Sequence, residues 1–252
     1  VYYAGDITRP GSNAQLQLVD SRIAGHPPKT LDQSQAAALP LTALTAWELL
    51  FQRMPYDSEN GGKGKTLLII AGAGGVGSIA IQLARRAGFT VVATASREDT
   101  IAWCRDLGAQ HVIDHRKPLH PQLKALGFEN VDAALNLYDT NRYWEELGEI
   151  LAPQGHVGLI VEPKEPVRLG DPYKFKCIGI HWEMMFGRPR FQTPDMDEQG
   201  RILARVASLI DAGELRGTHR ETLSPINAEN LREAHRRLES GKTIGKLVVS
   251  GW

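Results

Sequence analysis

The stretch TLLIIAGAGGVGSIAIQLARRAG (66–88) decides the fold. It opens on a continuous apolar run, TLLIIA (66–71), which reads as a strand buried on both faces. The glycines that follow, Gly72-Ala73-Gly74-Gly75-Val76-Gly77, match G-x-G-x-x-G. A helical stripe then carries Val76, Ile79, Ala80, Leu83, Ala84 and Ala87 on one side. Arg85 and Arg86 occupy the last turn, where cations are favoured, and Gly88 suits the position just past the helix end. Strand, glycine turn and helix in this order are the context in which the motif binds a dinucleotide pyrophosphate. Gly72 permits the tight turn, Gly74 lets the anion approach bare backbone, and Gly77 lets helix and strand pack closely. The helix N-terminus offers free N–H groups and a partial positive charge.

Working outward, TVVATA (90–95), HVI (111–113), VDAALNL (131–137) and HVGLIV (156–161) read as further apolar strands. Helices are expected over 98–107, near 121–126 and over 144–151 between them. Such alternation predicts an α/β fold, a doubly wound parallel sheet covered on both faces. A sixth strand is expected over 175–184, with Ile178, Ile180, Trp182 and Met184 on one face and His181 and Glu183 on the other. Upstream, Val1-Tyr2-Tyr3 and Gln15–Val19 read as short strands, Pro27-Pro28 as a break, and Leu31–Met54 as helical with a stop near Pro40. Downstream, a helix over 195–212, a strand near 218–223, a helix over 228–238 and a strand LVV (247–249) are expected. The tail is expected to return to the sheet formed by the first twenty residues.

The second strand ends Ala95-Ser96-Arg97, where an NAD site places Asp or Glu for the ribose 2′-hydroxyl. A hydroxyl and a guanidinium suit a 2′-phosphate, so NADP is the expected cofactor. Two alternatives stay open. Ser96 and Asp99 also fit a helix capping box, and Glu98 can serve a ribose.

Composition bounds the function. The 252 residues carry 29 basic and 29 acidic side chains, a balance that excludes a typical nucleic-acid binder. Two cysteines, Cys104 and Cys177, exclude a disulfide scaffold and a four-cysteine zinc site, and suit a reducing compartment. No basic-then-apolar leader opens the chain, so a cytoplasmic location without membrane attachment is expected. The longest charge-free stretch, Thr66 to Ala84, is interrupted by glycines and changes period midway, which argues against a membrane span.

The segments ALPLTALTAWELLF (38–51), AGAGGVGSIAIQLARRAG (71–88), ATASRE (93–98), LGAQHVIDH (107–115), LAPQGHVGLI (151–160) and GKLVVSGW (245–252) together resemble the medium-chain dehydrogenase/reductase superfamily. The branch they resemble is that of quinone reductases and zinc-type alcohol-dehydrogenase-like proteins. That resemblance implies a Rossmann domain over 41–213, with remnants of a β-rich GroES-like catalytic lobe at 1–40 and a return to that lobe at 214–252. It also implies a front lobe beginning before Val1, so the chain reads as a partial form. By resemblance, Gly74, Gly75, Val76 and Gly77 cradle the pyrophosphate, and Ser96 and Arg97 hold the 2′-phosphate. His115 lies near the adenosine, Leu137, Gly158, Leu159 and Ile160 flank the nicotinamide, Thr45 faces the cofactor and Lys246 approaches it from the tail.

Zinc members of the superfamily carry a catalytic Cys at the position resembling Leu41 or its neighbours and a four-Cys lobe in the segment resembling Tyr3–Gln17; neither has a Cys here. No metal site is therefore expected. The expected activity is an NADPH-dependent, metal-free reductase passing hydride to a quinone or an activated alkene. The alternatives are a zinc-dependent alcohol dehydrogenase and an NADPH-binding module inactive as cut. No catalytic residue is assigned. The partners expected are a small-molecule substrate and a second copy of the chain, joined through the edge strand 175–184.

Overall fold

A computed structural model describes residues 1–252. In chain order the elements are β1 (Tyr2–Tyr3), β2 (Ala24–Gly25), α1 (Gln33–Ala37) and α2 (Pro40–Glu48). A π-helical turn, Leu49–Arg53, continues α2. There follow β3 (Thr66–Ile70), α3 (Gly75–Arg86), β4 (Thr90–Thr94), α4 (Glu98–Asp106), β5 (His111–Ile113) and α5 (Leu119–Ala125). Next come β6 (Val131–Asn136), α6 (Thr140–Ile150), β7 (Leu151–Leu159) and β8 (Gly179–Trp182). The chain ends with α7 (Gly187–Phe191), α8 (Glu198–Asp211), β9 (His219–Leu223), α9 (Ala228–Glu239) and β10 (Lys246–Val249).

Six strands form one parallel sheet in the order β5-β4-β3-β6-β7-β8. Counted along the sheet's own strands this is 3-2-1-4-5-6, the doubly wound arrangement expected from the sequence. The strands are apolar throughout because both faces are covered: Leu67 to Ile70, Val91 to Ala93 and Ala133 to Leu135 are at most 1% exposed. One core gathers Leu68, Ile70, Val92, Ala134, Val157 and Leu159 of the sheet with Leu119 and Leu123 of α5 and Trp144 and Leu147 of α6. Trp144 stacks on Tyr173 with ring centroids 4.2 Å apart, and its indole N–H donates to the Arg168 carbonyl.

The chain divides into two compact units, Ala46–Glu183 and the pair of segments Val1–Thr45 with Met184–Trp252. This division differs from the 1–40, 41–213 and 214–252 boundaries read from the sequence. Residues 184–213 join the unit of the chain ends, where α8 packs on β2: the carbonyls of Arg22 and Ala24 lie 2.8 and 3.1 Å from a Cβ built on Gly200. In the same unit the Tyr2 hydroxyl donates to the Leu203 carbonyl, and Asp211 accepts from the backbone of Lys29 and Thr30.

Three local expectations are corrected. Gln15–Val19 is not a strand; Leu16 and Leu18 are 92% and 82% exposed. Alternation there has no neighbouring backbone to pair with, and β1 pairs instead with β2. The tail does not extend that sheet, because β9 and β10 form their own parallel pair. The sixth strand is only Gly179–Trp182, and the polarity of its faces is not simple. Trp182 is 47% exposed, whereas Glu183, just past the strand, is 3% exposed.

Candidate functional site

The glycine loop starts at Ala71, the first residue after β3. Ala71 adopts φ +62°, the left-handed region that an L residue enters at a cost. The turn is thus made by Ala71 and not, as the sequence suggested, by Gly72. The buried Thr94 at the end of β4 pins it: Ala71 N–H donates to Thr94 Oγ1 at 3.0 Å, and Gly72 N–H to the Thr94 carbonyl at 3.2 Å. Gly72 is required for packing, since a Cβ there would lie 2.8 Å from Ala93 Cβ and 3.1 Å from Cys104 Sγ. Gly77 tolerates no side chain at all, its Cβ falling 2.4 Å from the Ala71 carbonyl oxygen.

Gly74 is different. A Cβ there would meet only the Ala71 oxygen, at 3.3 Å. It is the N-cap of α3 and provides no side-chain cap, so the first-turn N–H groups of Gly75, Val76 and Gly77 are left for another acceptor. Ser78, one residue on, is consumed structurally: its hydroxyl donates to the Gly74 carbonyl at 2.7 Å and accepts from Trp103 Nε1 at 2.8 Å. An uncapped twelve-residue helix behind a side-chain-free approach fits a phosphate group.

The other residues singled out in this unit lie at the same, carboxyl, edge of the sheet. Ala95 N–H donates to the Ile113 carbonyl at 3.0 Å, so Ser96–Arg97 and Asp114–His115 leave the sheet side by side. Ser96 does not cap α4; Arg97 is the N-cap, and Thr100 Oγ1 accepts from its N–H at 3.1 Å. The Arg97 guanidinium pairs with Asp99 at 3.3 Å. Arg142, from the first turn of α6, donates to the His115 carbonyl at 3.0 Å. Burial pushes His115 below the usual imidazole range; Asp114 opposes, while Arg142, Arg116 and Arg97 add to the depression. Arg116 is itself paired with Asp114 at 2.8 Å. Leu137 and Ile160 follow the ends of β6 and β7, and Gly158 and Leu159 are the last residues of β7. A Cβ on Gly158 would lie 2.9 Å from Leu49.

Thr45 and Lys246 belong to the other unit. The Thr45 hydroxyl donates to Leu41 of its own helix at 2.8 Å. Lys246 opens β10, and burial holds its amine below the usual lysine range.

Sequence reasoning missed several polar groups that the sheet and its flanking helix bury or half-bury. Asn136, fully buried at the end of β6, donates through Nδ2 to the Asp139 carbonyl at 2.9 Å. It faces Ile70 of β3 across the point where the strand order reverses. Arg53 ties Glu183 (2.8 Å) and Glu48 (3.2 Å), whose side chains are both fully buried. Burial, then the neighbouring Glu48, pushes the Glu183 carboxyl up to about 8, against the pull of Arg53. His156 Nδ1 and His181 Nε2 share a hydrogen bond at 2.9 Å. Both imidazoles lie below their usual range, chiefly through burial. Glu48 and Arg53 are five residues apart, a spacing that an α-helix turns to different faces and the π turn brings together.

These residues do not fit zinc. No three His, Cys, Asp or Glu side chains are gathered to hold a metal ion, and the close pairs above are already bonded to each other or to Arg53. No helix is long and apolar enough to cross a membrane.

A parallel six-stranded sheet in this order, with an uncapped glycine loop at its carboxyl edge, defines a dehydrogenase-type dinucleotide-fold domain. Comparison with known proteins sharpens that class. A family model for zinc-binding dehydrogenases matches residues 107–249. The zinc-type alcohol dehydrogenase-like protein of Staphylococcus aureus strain MSSA476 is 40% identical over 253 aligned residues, 99% of this chain and 75% of that one. A Rhizobium etli CFN 42 protein, provisionally assigned as a zinc-dependent alcohol dehydrogenase, superposes with a TM-score of 0.93 at 49% identity, over 99% of this chain and 73% of that one. Escherichia coli quinone oxidoreductase, solved with NADPH, shares the fold at 22% identity, with a TM-score of 0.82 over 99% of this chain and 74% of that one. The chain belongs to the zinc-binding dehydrogenase family of the medium-chain dehydrogenase/reductase superfamily, and it is an oxidoreductase of that type.

Proposed function

We propose that the chain binds NADPH and serves its reduction of a quinone or an activated alkene such as an enone, without a metal. The observation that carries the choice of NADPH is the cationic group at the ends of β4 and β5. Ser96–Arg97 and Asp114–His115 leave the sheet side by side there, and the Arg142 guanidinium reaches the His115 carbonyl at 3.0 Å. A 2′-phosphate is a dianion that accepts bidentate bonds from guanidinium groups, and a ribose hydroxyl is not. Gly74 to Gly77 hold the pyrophosphate through bare N–H groups, with Gly72 keeping β3 and α4 close enough to shape the loop. Leu137, Gly158, Leu159 and Ile160 form the nicotinamide side.

Bound NADPH supplies the hydride. Quinones and enones are already electrophilic, so the protein's part is to orient the acceptor and exclude water, with no Lewis acid required. Relatives support both acceptor classes: the E. coli neighbour is a quinone oxidoreductase and a 27% identical neighbour is the CurK enoyl reductase. The chain further acts as a homodimer joined along β8.

Parallel titrations with NADPH and NADH test the cofactor reading. Arg97→Ala is expected to weaken NADPH by about 1–3 kcal/mol, roughly ten- to a hundredfold, and to leave NADH nearly unchanged. Equal weakening of both would remove the 2′-phosphate assignment.

A further inference from the structure

Two carboxyl groups, Glu48 and Glu183, lie fully buried on one guanidinium, that of Arg53, whose side chain is 34% exposed. They come from distant parts of the chain, 48 closing α2 and 183 following β8. Arg53 Nε holds Glu183 and a terminal nitrogen of the same guanidinium holds Glu48, so one cation serves both carboxyls. Glu183 Oε1 is buried with no hydrogen-bond partner, so a full charge on that group would go unsolvated. Two anions against one cation in a buried site is the arrangement that retains a proton. The backbone of Glu183 is tied as well: its N–H donates to the Leu159 carbonyl at 2.9 Å. Leu159 and Ile160 form the strand end read above as the nicotinamide side.

We propose that Glu183 is a positioning residue: a proton held between Glu183 and Glu48 keeps the Glu48–Arg53–Glu183 clasp closed and fixes the Leu159–Ile160 strand end that orients the nicotinamide. This deepens the proposed function and rests on its nicotinamide-side reading. The proton stays in the clasp and is not delivered to substrate. Its loss at alkaline pH leaves two like charges sharing Arg53, which drives Glu183 away and loosens its N–H bond to Leu159. The titratable and charged groups around Glu183 are few. Glu48 and Arg53 face it from the helix. His181, on β8 just before it, shares a hydrogen bond with His156 of β7. Lys65 acts on His156. Both histidines titrate on the acid side, away from the carboxyl pair.

The test uses the full chain as wild type, Glu183→Gln and Glu48→Gln. Infrared difference spectra of wild type against Glu183→Gln are expected to show a protonated carboxyl band at neutral pH that vanishes with alkali. In wild type, exchange of the residue-183 amide, corrected for its intrinsic base catalysis, is expected to accelerate about tenfold or more between neutral pH and about pH 9.5. In Glu183→Gln, whose neutral amide mimics the protonated acid, that acceleration is absent and NADPH affinity at neutral pH changes less than about threefold. Where turnover is measured, kcat and not KM carries the alkaline fall, and Glu183→Gln abolishes it. Absence of the carboxyl band in wild type overturns the proposal. So does an unchanged alkaline acceleration in Glu183→Gln, with Glu48→Gln as the check should that variant fold poorly. Failure of NADPH to bind wild type, with the infrared band present, would instead overturn the functional reading alone.

Discussion

Ala71 and Gly77 show how much of the glycine loop is set by single residues. Ala71 sits at φ +62° with no functional side chain to justify it. Ala71→Gly is therefore expected to raise stability by up to about 1 kcal/mol, the relief of the left-handed penalty exceeding the added unfolded-state entropy of glycine. Gly77→Ala is expected to cost more than about 3 kcal/mol, since its Cβ would enter the Ala71 carbonyl at 2.4 Å and backbone must shift. Urea unfolding of both variants checks the pair. An unstable Ala71→Gly beside a tolerated Gly77→Ala would mean that the loop is not held as described. The motif was legible in the sequence because its glycines answer to close approach, which spacing records. The duties of Gly72 and Ala71 were not, because the left-handed residue precedes the first motif glycine and only backbone geometry reveals it.

At the scale of elements, the central strands were readable because burial on both faces leaves an unbroken apolar run, as in Leu67–Ile70 and Ala133–Leu135. Gln15–Val19 carried a strand's alternation without a partner strand, and alternation specifies a face only when something pairs with the edge. The polar ties of β8 were invisible for a related reason: His156 and His181 are 25 residues apart and meet only through the β7–β8 register. Gly179 lies opposite His156, and a Cβ there would fall 2.5 Å from its Nδ1, so the glycine makes room for the pair. Because both folded-state imidazoles are depressed, the native state binds fewer protons than the unfolded chain as pH falls through about 6.5. Stability from this pair is thus complete above that pH and declines below it. Glu183 has the opposite sign. Its raised value means the native state keeps a proton that the unfolded chain releases, so its burial costs increasingly more as pH rises from about 4.5 toward about 8. Denaturant titrations across pH are expected to show His156→Gln flattening the decline below about pH 6.5 and Glu183→Gln removing a loss of stability between about pH 4.5 and about 8. Unchanged profiles in both variants would show that neither group titrates differently on folding.

On the scale of the whole molecule, the sequence could not say which distant segments gather into one unit, because amphipathic patterns name a buried face but not what buries it. That limit also governs β8. The sequence assigned Ile178, Ile180, Trp182 and Met184 to one apolar face; Ile178 and Ile180 pack on the core, yet Trp182 is left 47% exposed. β8 pairs with β7 on one side only, so its outer edge presents unpaired N–H and C=O groups beside a large exposed indole. Natural edges are usually blunted by charge, proline or a bulge, and this one carries aromatic surface in their place. A second β8 is the partner that best matches such an edge, since a two-fold axis presents the same strand and the same indole to itself. An interface built this way must bury at least about 1,000 Å² to persist at micromolar concentration. Sedimentation is therefore expected to give a dimer at micromolar chain, with Trp182 fluorescence shifting on dilution. Trp182→Lys, which places like charges across the axis, is expected to give monomers with unchanged urea stability of the sheet. Monomeric wild type at that concentration would sink the edge assignment. A dimeric Trp182→Lys would move the interface away from β8 while leaving the carboxyl edge of the sheet, and the cofactor reading that rests on it, untouched.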